Sequence, residues 1–217
     1  QAMIHFVGAG PGAADLITMR GHQLLTQADV IIYAGSLVNP ELLQYAKESC
    51  SIYNSASMTL EEVIDVMKQA EEKNQLTVRL HTGDPCLYGA IREQMDQLDA
   101  YNITYDVVPG VSSFCGAAAA LKAEYTLPNV SQSVIITRMA GRTPVPEKEE
   151  IALLAAHQAT MVIFLSTGML EQLSQRLLAG GYQTDTPAAI VYKATWDDEK
   201  VCHCTVATLA QTAKEHN

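Results

Sequence analysis

Three short runs of the 217-residue chain combine glycines with polar side chains in spacings that chemistry could use. The first, Gly8-Ala9-Gly10-Pro11-Gly12-Ala13, directly follows the apolar run Ile4–Val7. It fits the G-x-G-x-x-A pattern of a dinucleotide-binding turn, whose glycines let main chain approach a pyrophosphate. Two features count against a nicotinamide cofactor. Pro11 removes an N–H that such a turn would aim at phosphate. The second strand ends in Tyr33-Ala34-Gly35-Ser36 without the acid that grips a ribose, and Asp29 precedes that strand. A tight strand-to-helix turn also explains the run, as does a glycine-lined floor for a bulky ligand. The second run, Thr82-Gly83-Asp84-Pro85-Cys86-Leu87-Tyr88-Gly89, follows the strand candidate Thr77–His81. The third, Val107-Val108-Pro109-Gly110-Val111-Ser112-Ser113, ends another. Taken singly these are modest signals. Asp84 before Pro85 is a good helix cap, and Ser112 and Ser113 suit the start of the helix that follows.

Other chemistry-bearing residues are sparser. Arg138 and Arg142 stand four apart at a strand exit, beside Gly141, in a loop stiffened by Pro144 and Pro146. Guanidinium groups grip carboxylates in bidentate fashion, so the pair is a candidate site for an anionic ligand. The competing reading is a solvated loop whose arginines pair with Glu147, Glu149 or Glu150. Cys202-His203-Cys204 has metal-ligand residue types, but in a strand the two cysteines share a face and His203 takes the other. A structural strand is the preferred reading, and no metal is expected. The five cysteines, at 50, 86, 115, 202 and 204, contain no C-x-x-C pair, so no disulfide framework is expected. Neither a Ser-His-Asp set nor paired carboxylates stand out.

The elements that must position these runs alternate between strand and helix. Ile4–Val7, Ala28–Tyr33, Thr77–His81 and Tyr105–Val108 read as strands. Helices are predicted over 18–27, from the capping box Thr59…Glu62 onward, and along Ile91, Met95 and Leu98. Further on, Phe114–Leu121 is a short alanine-rich helix. Ser133–Thr137, Met161–Leu165, Ala188–Tyr192 and Val201–Thr205 read as strands, with helices near 148–156, 169–179 and 209–214. Gly180-Gly181 suits a left-handed helix end. The change of character near residue 115 predicts two α/β lobes, 1–115 and 116–217. Ligands favour clefts and the carboxyl ends of strands in such folds.

In combination the runs say more. Val7-Gly8-Ala9-Gly10-Pro11-Gly12 with Asp15-Leu16-Ile17-Thr18 and Arg20-Gly21 resembles the opening signature of the tetrapyrrole methylases. The Thr82–Gly89 and Val108–Ser113 runs resemble its next two signatures, in the right order. The resemblance extends over nearly the whole chain. His81-Thr82-Gly83-Asp84-Pro85, the Thr137–Glu147 segment and Val191-Tyr192-Lys193-Ala194-Thr195-Trp196 are similar to the branch that methylates C11 of precorrin-4, with or without cobalt.

The resemblance implies a two-lobe α/β fold, each lobe a mixed sheet flanked by helices, with the cofactor in the cleft between lobes. It implies S-adenosyl-L-methionine as methyl donor and a (cobalt-)precorrin-4 tetrapyrrole as substrate in cobalamin biosynthesis. It also implies a homodimer. The cofactor contacts carried over are Thr82, Gly83, Asp84, Leu87, Ser112, Ser113, Leu165, Ala194 and Pro11. Gly10 and Gly12 would face the macrocycle, and Arg138 and Arg142 would grip its carboxylates. Methyl transfer from a sulfonium needs alignment more than acid or base, so no catalytic residue is assigned among the candidates His81, Asp15 and Asp84. Relatives continue past the position of Asn217 into a further strand and tail, whose contacts are not expected here. Another ring position (C17, C20 or uroporphyrinogen III), a ribosomal RNA substrate, a nicotinamide-dependent dehydrogenase and a non-catalytic sensor are the alternatives.

Composition narrows these. The net charge is −10, with −8 carried by residues 1–113 and −2 by the rest, which opposes phosphate-neutralising nucleic-acid binding. The least polar stretch, 151–165, is shorter than the ~20 residues of a membrane helix. No signal-peptide pattern opens the chain, so a cytoplasmic location is expected.

Overall fold

The computed structural model describes residues 2–165 and 167–216. They fall into two compact units, one formed by Gln1–Gly116 with Lys193–Asp197, the other by Ala117–Tyr192 with Asp198–Asn217.

The first unit is a doubly wound α/β layer. Its strands are β1 (Met3–Gly8), β2 (Val30–Tyr33), β3 (Ser51–Asn54), β4 (Leu76–His81) and β5 (Tyr105–Val108), in the order β3-β2-β4-β1-β5. All pairs are parallel. Side chains therefore alternate between two buried faces. Ile4, Phe6, Val30 and Ile32 meet α2 (Leu60–Glu72) and α3 (Arg92–Ala100) through Val63, Ile64, Met67 and Leu98. Val7, Ile31, Val78 and Leu80 meet α1 (Met19–Gln27) through Leu25. The expected capping box of α2 is present: Thr59 Oγ1 accepts from Glu62 N, and Glu62 accepts from Thr59 N.

β3 has no counterpart in the sequence reading. All four of its residues are exposed at the sheet edge, so the inward hydrophobic alternation that marks a strand is missing there. A 3₁₀ stretch, Pro40–Tyr45, was equally silent; it is opened by Asn39, whose side chain accepts from Glu41 N.

α4 (Ser113–Leu121) leads into the second unit. There β6 (Val134–Arg138) and β7 (Thr160–Phe164) pair in parallel, and β8 (Pro187–Tyr192) and β9 (Lys200–Thr205) form an antiparallel pair. Mixed pairing is thus a feature of this unit, whereas the first sheet is wholly parallel because each of its connections crosses over. α5 (Ile151–Ala155), α6 (Leu170–Ala179) and α7 (Leu209–Glu215) supply the core: Ile151, Ala155, Leu170, Leu173, Leu177 and Leu209. The helix expected over 148–156 is shorter, with a 3₁₀ turn at Glu147–Glu149 before Ile151. α6 ends at Gly180, and the next residue, Gly181, takes φ +118°. In β9, Cys202 is buried and His203 exposed.

Candidate functional site

The three glycine-bearing runs follow β1, β4 and β5, which are neighbours in the sheet, so all three emerge side by side at its carboxyl edge. Their main chains touch. A Cβ added to Gly8 would lie 2.6 Å from the Gly83 carbonyl oxygen and 2.7 Å from Gly110 Cα, and one added to Gly110 would strike the same Gly83 oxygen. Gly10 and Gly83 exchange two hydrogen bonds, Gly10 N to Gly83 O at 3.2 Å and Gly83 N to Gly10 O at 2.8 Å. Both adopt left-handed backbone, φ +84° and +60°, which only glycine takes without strain.

Asp84 ties the second loop to the third. Its Oδ1 accepts from Cys86 N at 2.9 Å and its Oδ2 from Gly110 N at 3.3 Å. Pro85–Tyr88 form a turn, and the helix begins only at Arg92. Asp84 is therefore no helix cap. Its carboxylate holds loop geometry. Thr82 is exposed and Leu87 half-buried, its N–H on the Asp84 carbonyl. Ser112 is buried, and its carbonyl accepts from Cys115 N and Gly116 N at the start of α4. Ser113 is half-buried beside it. A Cβ built on Gly83 would come to 3.5 Å from Ser112 Cα and 3.7 Å from Ser113 N, ordinary contact distances, so the second and third loops lie side by side here.

Gly10, Pro11 and Gly12 are buried. Gly12 is occupied by Trp196, whose ring would collide with any Cβ there, and its carbonyl accepts from Asn39 Nδ2 at 2.8 Å. Beside it, Ala13 N donates to Thr195 Oγ1 at 2.9 Å. The Lys193–Asp197 segment thus braces the first loop, and Ala194 within it is buried. Lys193 and Thr195 flank it at φ +50° and +74°, a strained geometry for a β-branched residue.

In the second unit, Leu165 follows β7 half-buried against that unit's core. Arg138 is not paired with the nearby glutamates. Its guanidinium donates to the carbonyls of Thr143 at 3.0 Å, Pro144 at 3.1 Å and Met139 at 3.4 Å, wrapping the loop around itself. Glu150 pairs instead with Arg176 at 2.5 Å. Arg142 is exposed and has no hydrogen-bond or ion-pair partner among the described residues.

Two residues under the loops escaped the sequence reading as a pair. His81 is 4% exposed, its Nε2 has no partner, and burial, aided by the Arg79 charge, pushes its pKa down to about 3. Arg79, two residues earlier on the same face of β4, is equally enclosed. The signal was a lone charge inside an apolar strand. Among the described residues no group of three or more His, Cys, Asp or Glu side chains is placed to hold a metal, and no helix is long and apolar enough to cross a membrane.

With this geometry in hand, the comparisons are specific. Residues 3–210 match the family model of the Tetrapyrrole (Corrin/Porphyrin) Methylases. The chain is 55% identical over 209 residues to a cobalt-precorrin-4 C(11)-methyltransferase of Methanocaldococcus jannaschii, covering 96% of this chain and 81% of that one. It is 45% identical over 206 residues to the protein of the same name from Priestia megaterium, covering 95% and 80%. The X-ray structure of a cobalamin biosynthetic enzyme, cobalt precorrin-4 methyltransferase, superimposes with a TM-score of 0.96 at 43% identity, over 99% of this chain and 90% of that one. The opening turn, the Thr82–Gly89 loop and the Pro109–Ser113 loop are thus parts of one inherited framework, and the chain belongs to the tetrapyrrole methylases.

Proposed function

We propose that the protein is an S-adenosyl-L-methionine-dependent C-methyltransferase acting on C11 of precorrin-4, in its cobalt form. The observation that carries this is the 55% identity, over 96% of the chain, to a relative bearing that activity in its name. The loop geometry supports it. Thr82, Gly83, Asp84 and Leu87 from the second loop and Ser112 and Ser113 from the third are the proposed cofactor contacts, and the two loops run side by side at Gly83, where the backbone is bare. That suits a ligand held by peptide groups. Pro11, Leu165 and Ala194 are the further proposed contacts.

When bound, S-adenosylmethionine supplies a methyl group on a sulfonium, activated without any help from the protein. The chain's task is then alignment, and well-held reactants can save ~7–11 kcal/mol of barrier. Asp84 serves this by spending both carboxylate oxygens on backbone N–H groups rather than on proton transfer. His81, with a pKa of about 3, stays neutral at physiological pH and is a poor proton acceptor. On the substrate side, Arg142 is the open cation for a peripheral carboxylate, and Arg138 shapes the loop that presents it. Within the first unit, Gly10 and Gly12 leave room for Leu16 and Trp196. A cytoplasmic homodimer completes the reading. The test is mass spectrometry of the protein with S-adenosylmethionine and, in turn, cobalt-precorrin-4, precorrin-4 and uroporphyrinogen III. One added methyl on a precorrin-4 is expected. Methylation of uroporphyrinogen III alone would move the assignment to another ring position.

A further inference from the structure

β4 carries a charge where a sheet interior seldom does. Arg79 lies in the middle strand, 6% exposed, in register with Phe6 on one side and Ile32 on the other. Burial lowers its pKa to about 10, which leaves it protonated at neutral pH. No carboxylate forms an ion pair with it among the described residues. A buried charge of this kind needs hydrogen bonds in compensation. Nε donates to Gln94 Oε1 at 3.0 Å, and Nη1 donates to the Ile32 carbonyl at 3.3 Å.

Gln94 is 5% exposed and sits in the first turn of α3. With Oε1 turned to Arg79, its Nε2 is fixed toward the Ala90 carbonyl, to which it donates at 3.1 Å. No side chain caps α3 at Ile91, and this amide is one anchor of the approach to the helix. That approach is strained. Tyr88 and Ala90 both adopt positive φ, +60° and +54°, and Gly89 between them lies so close to the Pro85 carbonyl that no Cβ fits. Such backbone persists only where its surroundings over-determine it. The turn also ends the Thr82–Leu87 loop.

We infer that Arg79 and Gln94 form a buried positioning relay for the cofactor loop. The guanidinium orients the Gln94 amide, the amide holds the Ala90 carbonyl, and the strained 88–90 turn sets Thr82–Leu87. The inference rests on the S-adenosylmethionine reading above. Neither residue touches a reacting atom; both act through the loop.

Two substitutions separate the relay from simple packing. Gln94→Glu keeps an acceptor for Arg79 but removes the donor to Ala90. Gln94→Met keeps the volume and removes both. Calorimetry with S-adenosylhomocysteine and thermal unfolding are measured on each full-length variant. The expected result is a Kd raised about tenfold in both, the loss of one hydrogen bond's worth of positioning. The melting temperature should fall only for Gln94→Met. Turnover at saturating cofactor should stay near that of the parent, with the loss confined to the cofactor KM. A Gln94→Glu Kd within about twofold of the parent's would overturn the relay, since the donor to Ala90 would then be idle. Should Gln94→Met fail to fold, Gln94→Glu alone decides. A parent protein that does not bind S-adenosylhomocysteine would instead overturn the functional reading, and the relay with it.

Discussion

Arg138 and Arg142 look alike in the sequence and differ in the structure. Arg138 spends its donors on three loop carbonyls, whereas Arg142 keeps all of its own available. Arg142→Ala should therefore weaken tetrapyrrole binding by about 1.5–3 kcal/mol, the range for a charge-assisted hydrogen bond, without lowering the melting temperature. Arg138→Ala should do both. A tetrapyrrole KM unchanged in Arg142→Ala would return that residue to the solvent. His81 makes a second prediction at this scale. Its folded pKa, about 3, lies below the ordinary value of 6.5, so the unfolded chain takes up the proton first as pH falls. The stability it contributes is whole above about pH 6.5 and is lost progressively as pH falls toward 3. Between pH 7 and 5 the parent should lose about 2 kcal/mol more than His81→Phe, which retains stacking with Phe6. Urea unfolding at the two pH values checks this, and parallel losses would place the acid sensitivity elsewhere.

Among the elements, the first loop shows how closely a glycine run can be packed. Gly10 and Gly12 are both buried; a Cβ on Gly10 would meet the Leu16 main chain and one on Gly12 the Trp196 ring. Gly12→Ala should push the Trp196 ring aside and cost about 1–3 kcal/mol, as overpacking does. Trp196 is the chain's single tryptophan, so its emission reports the displacement directly. An unshifted spectrum with an unchanged melting temperature would mean that the loop yields freely. The strands β1, β4 and β5 were legible because continuous apolar runs ended in glycine-rich turns. Their adjacency was not, since strand order is a long-range property. Nor could spacing reveal that Lys193–Asp197 returns to brace the first loop, about 180 residues away in sequence. Gln94 was hidden for another reason: it sits among Ile91, Met95 and Leu98 like any polar break in a helical stripe, and only the Arg79 opposite gives it meaning.

For the whole molecule, the charge balance sets the problem of association. Each chain carries −10, so two copies repel at long range, and a dimer must be held by apolar contact. The chain has such surface to offer. β3 leaves Ile52 and Tyr53 43% and 39% exposed on a strand with an open edge, and the second unit exposes Val130 and Leu153 at 74% and 57%. Open edges and exposed apolar side chains are what an interface covers. The family resemblance supplies the expectation of a homodimer, and symmetric pairs are the commonest closed assembly. Light scattering at micromolar concentration should therefore give about twice the 23.5 kDa of one chain. Because like charges oppose the pairing, the dissociation constant should fall as salt rises from 0.01 to 0.15 M, over which the screening length shrinks from roughly 30 to 8 Å. A mass of 23.5 kDa at both salt concentrations would show that these apolar residues face water and that the monomer is the working unit.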